Sequence, residues 1–414
     1  MNAQATPSDT LDVQRVRADF PLLARTVHGK PLVYFDNANT SQKPRQVIEA
    51  VDRHYREHNA NVSRAVHLLG EEATAAYEGA RDALARFIHA PSRNELVLTS
   101  GTTQSANLVA YSFALPRLKP GDAILTTTME HHANIVPWQI VAARAGATVK
   151  AAPITESGEL IVEKFIELLT PEVKLACVGH VSNVLGTVNP VRELAKECRR
   201  RGIPLFVDGS QAVPHRPVDV QALGCDFYAL TGHKMLAPTG TGALWARKEH
   251  LDAMPPFFGG GEMIREVKFS GTSFAEPPHR FEAGTPNIAG FAGVSAAIDY
   301  YEALGFDAVR AHERALLDHA TARLREIPGL RIFGEAKEKE PVISFLVEGA
   351  QATDLATLLD IEGVAVRSGH HCAHPLMQFY GVAATLRASL AFYNTHEEVD
   401  AFVAALLKAR ALLR

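Results

Sequence analysis

The sequence predicts an α/β fold, in which helices flank a mostly parallel sheet, followed by a smaller α+β C-terminal domain. The first observation is that short apolar runs, typical of buried strands, alternate with helical periodicity between residues 96 and 246. The second is that a polar residue or a glycine follows many of these runs, where parallel sheets bind ligands. The third is a change of texture after residue 288, where a helix leads into a region with fewer predicted strands.

The predicted elements follow the chain in order. An N-terminal arm with a short helix spans residues 11–30. Predicted strands occupy residues 32–36, 96–99, 123–126, 148–152, 174–178, 204–208, 227–230 and 243–246. Predicted helices occupy residues 46–58, 71–89, 103–114, 136–145, 160–168 and 191–201. Beyond a Gly/Pro-rich segment at 255–288, which suits a hairpin, we expect helices at 306–326, 353–361 and 396–413 and strands at 342–347 and 364–366.

These elements divide the chain into three parts. Residues 1–30 form the arm, residues 31–288 the large domain, and residues 289–414 a small C-terminal domain that packs with the arm. A chain of 414 residues is long enough for at least two such units.

Composition and charge exclude several classes of protein. The formal net charge is −4 and no basic run exceeds Arg199–Arg201, so we expect no nucleic-acid surface. No apolar run approaches the roughly 20 residues of a membrane-spanning helix, and Met1–Asp19 lacks the apolar core of a signal peptide. The four cysteines have the spacing of neither a disulfide framework nor a metal site, which favours a reducing, cytoplasmic location.

A lysine and an aspartate, each at the end of a predicted strand, are the strongest sign of chemistry. Lys234 follows the run 227–230, and Asp208 ends the run 204–208. Burial lowers the pKa of an amine and makes it a nucleophile or a base. Pyridoxal 5′-phosphate (PLP) requires such an amine as its Schiff-base lysine, together with a carboxylate on its pyridine nitrogen. The alternative for a lone lysine is a surface loop, which the accompanying Asp208 disfavours.

Two further residues suit the same cofactor. His131, after the strand 123–126, would stack on the ring, and Gln211, one short turn beyond Asp208, would bond the phenolic oxygen of the ring. His131 and His132 are alternatively metal ligands, but no matching third ligand lies near them in the sequence.

The junction between the strand 96–99 and the following helix is a candidate phosphate site. Gly101 permits a tight turn, and the helix that opens near Thr103 offers free N–H groups. In isolation, these residues are more typical of a simple threonine N-cap. The sequence has no Walker loop, and no GxGxxG motif joins a strand to a helix, so nucleotide binding lacks support.

A second informative stretch, Arg367–Pro375, places Cys372 among histidines. Such a cysteine is either an activated thiolate or a metal ligand. We predict no metal, because the candidate ligands are crowded and lack partners elsewhere; a buried loop cysteine is the remaining alternative. Arg387 lies among small and apolar residues, which favours a clamp for a substrate carboxylate over a surface helix position.

At these residues the sequence resembles the class V aminotransferases, which are fold-type I PLP enzymes, and within them the group II (SufS-like) cysteine desulfurases. The resemblance runs from about Val16 to the C-terminus, which is nearly the whole chain. Its most specific stretches are Met129–Asn134, Thr231–Lys234, Arg280–Asn287 and Arg367–Cys372. The Gly-His-His-Cys-Ala form at residues 369–373 is typical of group II, whereas group I relatives carry the cysteine in a longer, mobile loop. The resemblance implies a large domain with a seven-stranded sheet.

The resemblance also implies a role for each site residue. Lys234 is the Schiff-base lysine, Cys372 is the sulfur acceptor, and His131 stacks on the ring. The other implied cofactor contacts are Asp208, Gln211, Thr102, Thr103, Thr231 and His233, with Thr285 reaching in from the second subunit of a homodimer. The implied substrate contacts are Asn183, Arg387 and Arg367. The family usually has a histidine where this chain has Ser63, a departure that bears on proton handling or acceptor docking.

The activity that the resemblance implies is the removal of sulfur from L-cysteine. The products are L-alanine and a persulfide on Cys372, which a small SufE-like acceptor protein takes up for iron–sulfur cluster assembly. A selenocysteine lyase or a cysteine sulfinate desulfinase would use the same residues. A transaminase would leave Cys372 without a role, and a non-catalytic scaffold protein would lack the yellow colour of a bound PLP.

Overall fold

The computed structural model describes residues 11–63 and 66–413. The first ten residues of the predicted arm, residues 64–65 and Arg414 lie outside this part of the chain. The helices are α1 Val13–Arg17, α2 Arg45–Glu57, α3 Leu68–Phe87, α4 Thr102–Val109, α5 Val136–Ala145, α6 Val162–Leu168, α7 Val191–Arg200, α8 Val220–Leu223, α9 Lys248–Ala253, α10 Ile288–Leu304, α11 Phe306–Arg325, α12 Ala352–Ile361, α13 His374–Tyr380 and α14 His396–Leu412. Within the described ranges, no helix is long and apolar enough to cross a lipid bilayer.

The strands fall into one large sheet, one smaller sheet and three strand pairs. They are β1 Thr26–Val27, β2 Lys30–Pro31, β3 Val33–Tyr34, β4 Leu96–Thr99, β5 Ala123–Thr127, β6 Thr148–Ala152, β7 Val173–Gly179, β8 Leu205–Asp208, β9 Phe227–Thr231, β10 Gly242–Ala246, β11 Ile264–Lys268, β12 Gly271–Phe274, β13 Leu330–Phe333, β14 Val342–Val347, β15 Val364–Ala365, β16 Arg367–Gly369 and β17 Thr385–Ser389. The hairpin expected within residues 255–288 is formed by β11 and β12.

The centre of the fold is a seven-stranded sheet with the strand order β4-β10-β9-β8-β7-β5-β6. Within the series β9-β8-β7-β5-β6, each strand is parallel to the next. Strand β10 runs antiparallel to both β4 and β9. The predicted α/β fold with a mostly parallel sheet is therefore confirmed.

Side chains of this sheet alternate between two cores. In β9, Phe227 and Ala229 join the core that contains Trp138, whereas Tyr228 and Leu230 join the core on the opposite face. Successive side chains of a strand point to opposite faces, and both faces here are covered. Every residue of β9 is consequently buried, which explains why its sequence is a continuous apolar run.

The C-terminal region forms an antiparallel four-stranded sheet with the order β13-β14-β17-β16 and a core of its own. The sequence patterns missed β13, β16 and β17. Arg387 lies in β17, whose five residues are all buried, so the alternative of a surface helix is wrong. Strand β3 pairs with β15 rather than with the large sheet. The division into residues 1–30, 31–288 and 289–414 stays a prediction.

The N-terminal residues pack against the C-terminal region. The ring centroid of Phe20 lies 4.5 Å from that of Tyr393 and 6.0 Å from that of Phe392. Arg17 forms an ion pair of 2.9 Å with Glu398 at the start of α14. These contacts join the described part of the arm to the last helix.

A buried ion pair fastens α3 to the segment that precedes α10. Arg81 is 1% exposed, and its Nη1 and Nη2 atoms donate to the two carboxylate oxygens of Glu282 at 2.6 and 2.9 Å. Arg81 also donates to the Leu96 carbonyl at 2.8 Å, and Glu282 accepts from the Leu98 amide at 2.7 Å. The pair therefore connects the helix, strand β4 and the turn that carries Thr285.

We expect Arg81→Met to lower the free energy of unfolding by about 3–5 kcal/mol, because it leaves the buried Glu282 carboxylate without its cation. Denaturant unfolding measures the loss. Arg86→Met, on the same helix, is the matched control. Its side chain is 54% exposed and pairs with Glu302, so its loss should stay within about 1 kcal/mol. Equal losses in the two variants would contradict a structural role for the buried pair.

Candidate active site

The carboxyl ends of the parallel strands open into a cavity of about 410 Å³. Because these ends meet at one edge of the sheet, residues that are far apart in sequence converge there. The predicted site residues that line it are Thr102, Thr103, His131, Asn183, Asp208, Gln211, Thr231, His233 and Lys234. Its lining does not include Thr285, Arg367, Cys372 or Arg387.

Lys234 lies in the turn after β9, in the wall of this cavity. Burial lowers the pKa of its amine to about 8, and the positive charge of Arg387 acts in the same direction. The negative charge of Asp208 acts against that shift. At neutral pH the amine is consequently close to its titration, where it can give and take a proton.

Asp208 ends β8 and is held by a short hydrogen-bond relay. The amide and the hydroxyl of Ser210 donate to its Oδ1 at 2.9 and 2.6 Å. Because that hydroxyl proton is used, the 2.6 Å contact between Ser210 and Thr102 is a hydrogen bond donated by Thr102. No hydrogen bond from the described residues reaches Oδ2, so this oxygen is available to a ligand in the cavity.

The protonation state of His131 is set by its surroundings. Its Nδ1 accepts a hydrogen bond of 3.0 Å from the Ala133 amide, so a neutral ring carries its proton on Nε2. Burial, assisted by the nearby Lys234 charge, lowers the pKa of His131 to about 4. The side chain therefore offers a neutral aromatic face and one N–H donor to the cavity at physiological pH.

The N-terminus of α4 forms the end of the cavity at which a phosphate was predicted. No side chain caps this helix, whose N-cap is Gly101 with φ of +143°. A Cβ on Gly101 would lie 3.1 Å from the Thr231 hydroxyl, and one on Gly242 would lie 2.5 Å from the Gly101 Cα. Backbone N–H groups are thus exposed to the cavity at a position where neighbouring residues of the same chain leave room only for glycine.

Gln211 and His233 are held by the loop that follows β3. Gln211 Nε2 donates to the Ala38 carbonyl at 2.7 Å. The His233 carbonyl accepts from the Ser41 amide at 3.1 Å and from Lys43 Nζ at 2.9 Å. These bonds fix the turn that carries Lys234 against residues 38–43.

Arg387 is 2% exposed and binds to two distant parts of the chain. Its Nη1 donates to the Asn183 carbonyl at 2.9 Å, and its Nη2 donates to Asp36 at 3.2 Å. Its Nε is buried and has no hydrogen-bond partner among the described residues. Arg367 lies 3.8 Å from the same Asp36 carboxylate and is 40% exposed. Burial lowers the pKa of Arg387 to about 10, which still leaves it charged at neutral pH.

Cys372 lies in a turn that is tied down on both sides. His371 and Cys372 both have positive φ angles, +51° and +56°. The Cys372 amide donates to His370 Nδ1 at 3.1 Å, and its carbonyl accepts from the His132 amide at 2.7 Å. Asn183 Nδ2 donates to the His371 carbonyl at 2.7 Å. The half-buried thiol is therefore held beside the loop that carries His131, although it does not line the cavity.

Thr285 lies outside the Lys234 cavity of its own chain. It lines a neighbouring cavity of about 480 Å³, together with Ser63 and Glu282. The two cavities adjoin, because Ser100 and Gln104 line both. The residue that departs from the family pattern, Ser63, thus shares a cavity with Thr285.

Four residues near the site had no predicted role. Asp36 follows β3 and bridges two arginines, while Ser210 links Asp208 to Thr102. Lys43 donates to the His233 carbonyl, and burial lowers its pKa to about 7. Glu130 is buried beside His131, and burial raises its pKa to about 7. Strand-end acids such as Asp36 carried a usable signal, since Asp208 was found on the same ground.

The residues present fit PLP. The cofactor needs an amine, an anion site for its phosphate and a carboxylate for its pyridine nitrogen. The cavity offers Lys234, the uncapped N-terminus of α4 and the available Oδ2 of Asp208. The glycine cradle at Gly101 leaves room for a ligand that approaches the backbone closely.

We expect the cofactor-free chain to show Lys234 acylation with a midpoint near pH 8, as burial lowers its pKa from 10.5 to about 8. Peptide mass spectrometry after a short pulse of acetic anhydride measures labelling against pH, and exposed Lys119 is the reference in the same digest. Asp208→Asn should move the midpoint lower, since the carboxylate holds the proton on the amine. A midpoint that follows that of Lys119, or one that rises in the variant, would contradict this assignment.

Comparisons with known proteins identify the family of this chain. Residues 33–402 match the family model for aminotransferase class-V. A probable cysteine desulfurase of Xylella fastidiosa (strain 9a5c) is 62% identical over 100% of this chain and 99% of its own. The cysteine desulfurase CsdA of Escherichia coli has a solved structure with 39% identity and a TM-score of 0.91, covering 98% of this chain and 100% of that one. The apo cysteine desulfurase of Thermococcus onnurineus NA1 has 38% identity and a TM-score of 0.91, covering 98% and 99%. The chain belongs to the class-V aminotransferase family.

Proposed function

We propose that this protein is a PLP-dependent cysteine desulfurase that converts L-cysteine to L-alanine and leaves the sulfur as a persulfide on Cys372. The observation that carries the proposal is the position of Cys372. Its turn is hydrogen-bonded to His132, next to His131, and to Asn183 in the wall of the Lys234 cavity. The relatives of this chain include a protein named cysteine desulfurase that is 48% identical over 98% of this chain.

The proposed cofactor contacts follow from the lining of the cavity. Lys234 would hold PLP covalently, Asp208 Oδ2 would keep a proton on the pyridine nitrogen, and the N-terminus of α4 would bind the phosphate. Bound PLP would supply an electron sink for the substrate Cα. The relay from Thr102 through Ser210 orients Asp208, so it links the start of α4 to the carboxylate that would hold the ring nitrogen.

Arg387 is the proposed anchor of the substrate carboxylate. Its buried Nε lacks a partner among the described residues, and a carboxylate is the group best suited to a guanidinium. Asp36 and the Asn183 carbonyl hold the other guanidinium nitrogens in position. The half-exposed Arg367 would add a second positive charge near the entrance, and solvent would weaken its attraction for the substrate.

The chain's own groups would carry the proton and the sulfur. Lys234, with its lowered pKa, would take the proton from the substrate Cα. The Cys372 thiolate would attack the substrate sulfur, forming an S–S bond as the Cβ–S bond breaks. The electron pair of the broken bond passes to Cβ, which takes up a proton, and Lys234 returns a proton to Cα, so that the product leaves as alanine. The terminal sulfur stays on Cys372.

We place the chain in group II, the SufS-like branch, on the strength of its cysteine turn. The backbone hydrogen bonds on both sides of Cys372 leave a short, fixed segment ahead of α13. A persulfide on such a turn cannot swing far into solvent. We therefore propose that a small SufE-like acceptor protein brings its own thiolate to the site and passes the sulfur on to iron–sulfur cluster assembly.

A homodimer is proposed because Thr285 lies outside the Lys234 cavity of its own chain and because apolar side chains are exposed. Thr285 is exposed at the edge of a cavity that adjoins the Lys234 cavity. Val66, Leu68 and Phe269 are exposed apolar side chains, which suit burial against a second copy. Thr285 of the second subunit would then reach the phosphate end. A cytoplasmic location is also proposed, since all four cysteines are free thiols.

We expect Cys372→Ser to bind L-cysteine but to carry no persulfide, because a hydroxyl is a poor nucleophile towards sulfur. Mass spectrometry after treatment with L-cysteine, with wild type beside the variant, measures the sulfur adduct. The buried Cys177, Cys198 and Cys225 are internal controls in the same digest. A sulfur adduct on one of these three cysteines, or an adduct that persists in the variant, would contradict the proposal.

We expect Arg387→Lys to raise KM for L-cysteine by about tenfold or more, since a charge-assisted hydrogen bond contributes roughly 1.5–3 kcal/mol. Steady-state alanine release gives KM and kcat separately. The control is Arg367→Lys. Its KM should change less, because the Arg367 guanidinium is 40% exposed and lies as far as 3.8 Å from the Asp36 carboxylate. A larger rise in KM for the Arg367 variant would reverse the assignment.

A further inference from the structure

Three histidines from two distant segments meet beside the Cys372 turn. His132 follows the cavity-lining His131, whereas His370 and His374 flank Cys372 at two residues on either side. One ring nitrogen from each lies within 4.8 Å of one from each of the others. The sequence offered His132 no third ligand, because its neighbours lie more than 230 residues away along the chain.

We propose that His132, His370 and His374 form a binding site for a divalent transition-metal ion, with zinc as the best match. Imidazole nitrogens are preferred ligands of zinc, copper and nickel. Three histidines with an open fourth position make a familiar tetrahedral zinc set. No carboxylate belongs to this cluster, so calcium and magnesium, which take oxygen ligands, are poor candidates.

One of the three nitrogen–nitrogen separations already suits a tetrahedral ion. Two nitrogens on bonds of about 2.0–2.1 Å at a tetrahedral angle lie about 3.3 Å apart. His132 Nε2 and His374 Nδ1 are 3.1 Å apart. The His374 side chain is exposed, so its torsions can adjust to bring the three nitrogens around one ion.

The tautomer of His132 is already the one that a metal needs. Its Nε2 accepts a hydrogen bond of 3.1 Å from the His374 amide, so the lone pair points into the cluster. An ion would replace this hydrogen bond. The amide lies at the start of α13 beside an exposed side chain, where water can accept from it instead.

His370 connects the ion to the reactive cysteine. Its Nδ1 now accepts a hydrogen bond from the Cys372 amide, which places its proton on Nε2. A neutral imidazole has a single lone pair, so a metal at either nitrogen removes that acceptor from the Cys372 amide. Metal binding would therefore replace the hydrogen bond between the Cys372 amide and His370 with a link from His370 through the ion to His132.

The consequence for activity rests on the proposed function. A metal ion that joins His132 to His370 and His374 fastens the Cys372 turn to the His131 loop at the mouth of the site. The ion would also lie on residues that are two positions from the thiol that a sulfur acceptor has to reach. The bound ion would therefore act as an inhibitor of sulfur transfer, reversible by a chelator.

Calorimetric titration of the holoenzyme with zinc chloride, without L-cysteine, tests the site itself. The expected result is one Zn²⁺ per chain, with affinity at least about tenfold weaker in His374→Gln, since even outer partners of a metal site contribute that much. The control His396→Gln removes an exposed histidine that neighbours two others, His312 and His319, and should leave the affinity unchanged. Equal affinity in wild type and His374→Gln would overturn the proposal.

Two further measurements separate the three-histidine site from its competitors. Cys372→Ser should keep the Zn²⁺ affinity, and its loss in that variant would show a thiolate site and overturn the histidine assignment. Alkylation of Cys372 by iodoacetamide, followed by mass spectrometry, should slow severalfold when Zn²⁺ is added to wild type but not when it is added to His374→Gln. An unchanged alkylation rate in wild type would overturn the inhibitory role. Neither readout requires turnover, so a failure of the proposed function leaves both interpretable.

Discussion

The buried guanidinium of Arg387 is the constraint on which the site depends. A cation that is 2% exposed needs hydrogen-bond partners, and its two terminal nitrogens find them in Asp36 near the N-terminus and in the Asn183 carbonyl beyond β7. Three separate stretches of chain must be in place before the charge is compensated. The small C-terminal sheet, the loop after β3 and the large sheet are thereby held in one relative arrangement.

The part of the site that could be predicted from the sequence is the part that follows from the parallel sheet. Lys234 and Asp208 lie directly after buried strands, and the carboxyl ends of such strands meet at one edge. The continuous apolar run of β9 marked that strand clearly. Strand β17 was missed because its central residue is a buried arginine, which no hydrophobic pattern anticipates.

The rest could not be predicted because it depends on contacts between distant segments. Asp36 receives its role from Arg387, which lies 351 residues further along the chain. His132 meets His374 across 242 residues, and neither position has a pattern that points to the other. Ser210 is close to Asp208 in sequence, but its relay to Thr102 exists only once the turn after β8 has formed. The type of a residue indicates which chemistry it can perform, whereas its contact partners are known only from the folded structure.

The glycines at 101 and 242 lie back to back, with no space for a methyl group between them. Strand β10 is antiparallel to both of its neighbours. Its first residue, and not its last, therefore borders the phosphate end of the cavity. The helix that would receive the phosphate and the strand behind it consequently behave as a single rigid wall. A redesign of this wall for a larger or differently charged ligand would have to move a whole strand of the sheet, since the two glycines have no side chain that could be shortened.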